Sequence, residues 1–327
     1  MRQFCTLGLI GLAPILIACS QPNAGAQQSA MRTETHLDAQ KLTIATADAS
    51  GAYTTIGQAL AQIYQEQFSI PVSHKTTTGS AENLRLLKEH KVDLALVMSD
   101  TLADAIQGKN EFKQPLSQIV HIASLYPSYV QVIVPTHSTL QHLADFKNKR
   151  IAVSAQSSNT ETNAKRLLAS ASLKRNDYKM WYFGHAEAID AFKTGKIDAA
   201  ILSGSIPNQV IQQLMQDGFA VRFIGIENTQ FNQLKSQHPY FVTQTIPANS
   251  YGQHAAVPTV AVMHSLVARQ DLSQHDVYAL TQSFFQHLPR LQQAHPAAQA
   301  IQQDTAQQGL VYALHAGAIQ YYQQKKP

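Results

Sequence analysis

Two stretches decide how this chain folds: Lys88-Glu-His-Lys-Val-Asp-Leu-Ala-Leu-Val-Met-Ser-Asp100 and Lys193-Thr-Gly-Lys-Ile-Asp-Ala-Ala-Ile-Leu-Ser-Gly-Ser205. Each runs from a polar helix end through an acid, Asp93 or Asp198, into a short apolar run and then a small polar loop. A short unbroken apolar run bounded by turn residues reads as a buried strand. Working backwards, each stretch is preceded by a second shared unit. Lys41-Leu-Thr-Ile-Ala-Thr46 leads through a small-residue loop into a helix from about Thr55. Arg150-Ile-Ala-Val-Ser154 leads through Ala155-Gln-Ser-Ser-Asn-Thr160 into a helix carrying Leu167 and Leu168. Ile56, Leu60, Ile63 and Tyr64 fall on one helical face, and Ser80 to His90 reads as a helix with Leu84 and Leu87 inward. The same order appears twice, so the expectation is two similarly built α/β lobes with largely parallel strands.

Working outward, Tyr129-Val-Gln-Val-Ile-Val-Pro135 lies between the copies as an extended crossing segment, and Pro258 to Ala268 is the natural return. The tail from Ser273 is helical in pattern, with Tyr278, Leu280, Phe284, Phe285 and Leu288 supplying apolar surface for the first lobe. Trp181 is expected in the core of the second lobe. This gives a clamshell with lobe 1 over residues 41–131 plus 262–327 and lobe 2 over 132–261. Ligands favour the interface of such lobes.

The start of the chain sets the compartment. Met1-Arg2 precedes an apolar run from Phe4 to Ala18 of about 15 residues, shorter than the roughly 18 needed to span a bilayer and fitting a secretory signal. It ends in Leu16-Ile17-Ala18-Cys19, which resembles a bacterial lipobox, so residues 1–18 are expected to be a signal peptide and Cys19 the lipidated residue. Residues 19–40 are polar and aperiodic, and read as a flexible tether. The chain is thus expected in the periplasm, held to a membrane through its N-terminal lipid, with the outer membrane permitted by Ser20. Cys5 and Cys19 are the only cysteines, so the body has neither disulfide nor thiol nucleophile. The formal charge is +4 with basic residues scattered, which gives no stripe for nucleic acid. His-Glu-x-x-His, Gly-x4-Gly-Lys, Gly-x-Ser-x-Gly and dinucleotide motifs are missing. The fourteen histidines are scattered singly. These features point to a binding protein rather than an enzyme, with no cofactor and no metal.

Ligands of parallel α/β units gather where strands lead into helices. Four such loops are rich in small and hydroxyl residues: Ala47 to Tyr53, Thr76 to Ser80, Met98 to Thr101 and Gln156 to Glu161. Free N–H groups at a helix start suit an anion.

Several stretches taken in order resemble the TAXI family, solute receptors of tripartite ATP-independent periplasmic (TRAP) transporters. They are Thr78 to Leu87 leading to Val92 to Asp100; Ala123-Ser-Leu-Tyr-Pro127 with Val130 to Val134; Leu143 to Arg150; Val257 to Val262; His295 to Ala298; and Leu314 to Ala318. The resemblance runs from Lys41 to about Tyr322. It implies a type II periplasmic-binding fold, a small organic acid or amino acid such as glutamate as ligand, and small and large TRAP membrane subunits as partners. Carried over by position, it implies a pocket of Ser50, Gly51 and Tyr53; Gly79, Ser80 and Asn83; Ser99; Tyr126; and Ser158, Thr160 and Glu161. Asp48, Met98 and Ser128 depart from the family's usual pattern, as does the lipid anchor. The alternative reading is a lipid-anchored binding or sensing protein without a TRAP partner.

Overall fold

The computed structural model describes residues 36–49, 51–156 and 158–324, all within one compact unit, Thr35–Pro327. The signal peptide, Cys19 and most of the tether expected from the sequence lie outside the described residues, as does Ser50. Among the described residues no helix is long and apolar enough to cross a membrane.

The first unit is β1 (Leu42–Ala45), α1 (Ala52–Phe68), β2 (Val72–Lys75), α2 (Ser80–Lys88), β3 (Leu94–Met98) and α3 (Ser99–Gln107), followed by the long strand β4 (Ile119–Pro135). The second comprises β5 (Arg150–Val153), α4 (Asn159–Ser170), β6 (Lys179–Tyr182), α5 (His185–Lys193) and β7 (Ala199–Gly204). It continues through α6 (Gln209–Gln216), β8 (Val221–Phe223), α7 (Asn228–Gln237) and β9 (Phe241–Ile246). The long strand β10 (Val257–Arg269) then leads to α8 (Gln274–Gln286), α9 (Leu288–Ala294) and α10 (Ala316–Gln324).

The strands form one curled sheet in the order β2-β1-β3-β10-β4-β7-β5-β6, with β8 paired to β4 and β9 to β10. Strand β1 is parallel to β2 and β3, and β5 is parallel to β6 and β7. The repeat seen in the sequence is therefore a repeat of topology, and the acids hold it in register. Asp93 accepts the main-chain N–H of Thr43 at 2.8 Å, while its own N–H donates to the Thr43 carbonyl at 2.9 Å. Asp198 does the same to Arg150, at 2.8 Å in both directions.

The two long strands run antiparallel through the centre and serve both halves. On β4, Ile122, Leu125 and Tyr126 belong to the first core, and Val130, Val132 and Val134 to the second. On β10, Val260 and Val262 pack in the second core, and Leu266 and Ala268 in the first. Each crossing strand thus changes core over about one strand turn, as a two-lobed clamshell requires. The stripe Ile56, Leu60, Ile63 and Tyr64 is fully buried in the first core, where Leu280, Phe284 and Phe285 of α8 join it.

Two expectations are corrected. Trp181 is not core: it is 41% exposed, because β6 is an edge strand and the alternation of its side chains turns Trp181 outward against Phe183. The ordered body also begins before Lys41. Leu37 is fully buried, and the N–H groups of Asp38 and Ala39 donate to the Asp276 carboxylate at 2.7 and 2.9 Å.

Candidate ligand-binding site

A cavity of about 560 Å³ opens where the two halves meet, within the range usual for small-molecule sites. Its floor comes from the crossing strands. Tyr126 of β4 and His264 of β10 stack with ring centroids 4.3 Å apart and planes at 29°. Tyr53, on the first turn of α1, meets His264 edge-on at 5.3 Å and places its phenol oxygen 2.7 Å from Nδ1. Burial lowers the His264 imidazole to about 3 and pushes the phenols of Tyr53 and Tyr126 up. The ring is therefore neutral and the phenol keeps its proton, so Tyr53 donates and Nδ1 accepts. A neutral imidazole accepting at Nδ1 carries its hydrogen on Nε2.

The walls are helix starts. Helices α1, α2 and α3 begin at the rim with N-cap residues Gly51, Gly79 and Met98, none of which makes a side-chain cap. Gly79 has φ +122° and ψ −158°, a conformation open to glycine alone, and a Cβ built there meets nothing within 4 Å. The loop therefore presents bare backbone to the cavity. Ser80 lines it too and accepts the N–H of Met98 at 3.0 Å, tying α2 to the end of β3. The second half contributes Asn159 and Ser205, and the tail contributes His295 and Ala297.

Charged side chains on the wall are Glu82, Arg85 and Glu111. Glu82 accepts both the N–H and the hydroxyl of Thr78 at 2.8 Å, and these bonds hold it below the usual carboxylate range. Arg85 is committed to Glu111 at 3.0 Å. An anion in the cavity is thus met by helix-start N–H groups and hydroxyls.

Of the residues expected at the site, Gly51, Tyr53, Gly79, Ser80 and Tyr126 line this cavity together. Asn83 does not. It is fully buried; its amide donates to the carbonyls of Thr46 and Leu96 at 2.6 and 2.8 Å, and its oxygen accepts from Thr77 at 2.7 Å. It pins the ends of β1 and β3 beneath the loop. Ser99 is buried at 3.1 Å from Ser265. Ser158 caps α4 by accepting the N–H of Glu161 at 3.2 Å. Thr160 lies on the first turn of that helix. Glu161 is buried, accepts the phenol of Tyr182 at 2.6 Å and pairs with Lys165. It faces an adjoining hollow of about 400 Å³ between α3 and α4, which shares Thr101, Glu111 and Asn159 with the cavity. That end of α4 is joined to α3 through Asp100, whose carboxylate accepts from Asn159 and Asn163, both at 2.8 Å.

His264, Ser205 and His295 were not expected, and Asn159 only as part of the Gln156 to Glu161 loop. Their sequence signal is faint: His264-Ser265 is the polar interruption of an otherwise apolar crossing strand, Val260 to Ala268.

Comparison with known proteins places this architecture. A TctC solute binding protein from Polaromonas superposes with a TM-score of 0.53 at 14% identity, over 79% of this chain and 88% of that one. XAC2383 from Xanthomonas citri, bound to chloride ion, gives 0.51 at 10% identity over 88% and 96%. The periplasmic aliphatic sulphonate binding protein SsuA from Escherichia coli gives 0.48 at 16% over 88% and 80%. At such identities the likeness to the Polaromonas and Xanthomonas proteins is one of fold. The sequence profile of the NMT1-like family matches residues 44–325, nearly the whole described body, and the chain belongs to the NMT1-like family.

Proposed function

We propose that this chain is the solute receptor of a TRAP-type transporter, taking a small carboxylate or amino acid into the cavity between its lobes. The observation that carries the reading is the convergence of three helix starts without side-chain caps at their N-cap residues on one cavity floored by Tyr53, Tyr126 and His264. Helix starts of this kind stabilise a negative group through their N–H groups and dipoles, and the aromatic floor supplies contact area to the rest of the solute. The Polaromonas protein of the same fold is itself a solute binding protein, and the order of TAXI-like stretches supports the TRAP assignment.

In this reading the lobes hinge on β4 and β10, and bound solute favours the closed form. That form docks on the small and large membrane subunits. Cys19 carries a lipid that holds the receptor at the periplasmic face of a membrane. No cofactor takes part.

A thermal-shift screen of the purified protein against glutamate, glutamine, 2-oxoglutarate and C4-dicarboxylates tests this. A ligand at about 100 times its dissociation constant adds roughly 2.7 kcal/mol, a rise of a few degrees in Tm for a protein of this size. A shift confined to carboxylates supports the reading. Shifts with none, across carboxylates of every size, remove it.

A further inference from the structure

The cavity does not end at its aromatic floor. A second hollow of about 490 Å³ adjoins the first and shares Tyr126, Ser205, His295 and Ala297 with it. Their chemistry differs sharply. The charged side chains and the helix starts all face the first chamber. Among the described residues no charged side chain lines the second. Its wall is built from Pro127, Pro207, Pro247 and Pro296 with Ile206 and Tyr129. Proline has no N–H, so this wall is poor in main-chain donors.

The extension is also held in shape. Tyr251 donates its phenol to Gln131 at 2.5 Å and accepts the N–H of Asn208 at 2.5 Å. Gln131 in turn donates to the carbonyl of Ser205 at 3.1 Å. On the far side, His295 accepts the N–H of Ala297 at 3.0 Å and braces the turn that carries Pro296. In the first chamber, Glu82 and Glu111 oppose a second negative group, and Arg85 is already paired with Glu111.

From this division we propose that the solute is a monocarboxylate with an extended apolar tail. Its carboxylate sits at the helix starts of the first chamber, and its tail passes over Tyr126 into the proline-lined chamber. The proposal rests on the receptor reading above and narrows its solute class from glutamate-like acids to amphipathic ones.

Calorimetric titration of the purified protein with straight-chain monocarboxylates from propanoate to decanoate, and with glutamate and succinate, tests it. Tail burial predicts affinity rising about fourfold per added methylene, and glutamate and succinate weaker than octanoate. Ala300 is exposed, lines the second chamber and does not line the first. Ala300→Trp adds bulk at the mouth of the second chamber, so it is expected to abolish the dependence on chain length. Carboxylate binding that ignores tail length, or favours the dicarboxylates, overturns this proposal and leaves the receptor reading standing. Binding of no carboxylate overturns both. A chain-length dependence that survives Ala300→Trp places the tail elsewhere and also overturns it.

Discussion

The phenol oxygen of Tyr53 lies 2.7 Å from Nδ1 of His264, and this bond joins the first turn of α1 to the strand that crosses between the halves. The aromatic floor is therefore tied to α1 and to both crossing strands. Tyr126, stacked on the other side of His264, completes a surface that depends on the imidazole being neutral.

Tyr53→Phe removes the donor and leaves a buried ring nitrogen without its partner. The expected loss is about 1–3 kcal/mol of stability, with solute affinity reduced and the far-UV spectrum unchanged. Urea unfolding beside calorimetric titration checks both. Unchanged stability and affinity would show that the bond is not maintained in solution.

Acidification has a predictable sign. Burial lowers His264 to about 3 and His121 to about 4. The unfolded chain takes up protons near the ordinary histidine value, and the folded chain does not. The contribution of these histidines is complete above about pH 6.5 and is lost progressively as pH falls, toward about 4 for His121 and about 3 for His264. The slope is about 1.4 kcal/mol per pH unit for each. Urea midpoints measured at about pH 7.5 and about pH 4.5 should fall accordingly. His121 is fully buried and does not line the cavity, so His121→Gln is expected to flatten the slope by one histidine's share without changing affinity.

Gly79→Ala tests the bare loop. A Cβ at this position meets nothing within 4 Å, so the cost is that of the backbone conformation alone, about 1–3 kcal/mol. The relaxed loop turns its N–H groups away from the cavity, and affinity should drop with stability. Thermal denaturation with and without solute separates the two effects. An alanine variant with wild-type Tm and affinity would contradict the placement of this loop.

Asp93→Asn and Asp198→Asn break equivalent clasps in the two halves. Each is expected to lower stability by about 1–2 kcal/mol and leave solute affinity near wild type, because neither side chain lines the cavity. The double variant should be additive, since the sites share no partner. At Asp198 the Arg150 guanidinium, 2.7 Å away, holds the carboxyl below its usual range. Its contribution is present above the ordinary aspartate value and is lost as pH falls through its lowered one. Equilibrium unfolding of the three variants measures this.

The same two acids show what the sequence made legible. The Asp93 and Asp198 stretches announced a repeated α/β unit, because an acid before a buried strand has few places to go except the neighbouring strand's free N–H. The crossing segments were legible as extended stretches between and after the two copies, though Tyr129 to Pro135 is only the end of the longer strand β4. Loop chemistry was legible only in part. Gly51, Tyr53, Gly79, Ser80 and Tyr126 reach the cavity, but Asn83 and Glu161 have the same kind of polar side chain at the same kind of helix start and are consumed by internal bonds. Position along the chain does not reveal which way a helix start is rotated. His264 escaped notice for the opposite reason: it sits in mid-strand, where polar residues are read as tolerated exceptions. Its role depends on where two distant segments, α1 and β4, come to lie. Trp181 was misjudged because strand order, which makes β6 an edge, is a property of the assembled sheet.

The central claim is that solute sits at the helix starts above Tyr126 and His264. A crystal structure of the protein grown with its tightest-binding carboxylate tests it most directly. The account predicts the carboxylate within about 3 Å of main-chain N–H groups of residues 52–53 or 80–82, with the rest of the molecule against the Tyr126 ring. A solute bound with its carboxylate elsewhere, and this cavity empty, would contradict it.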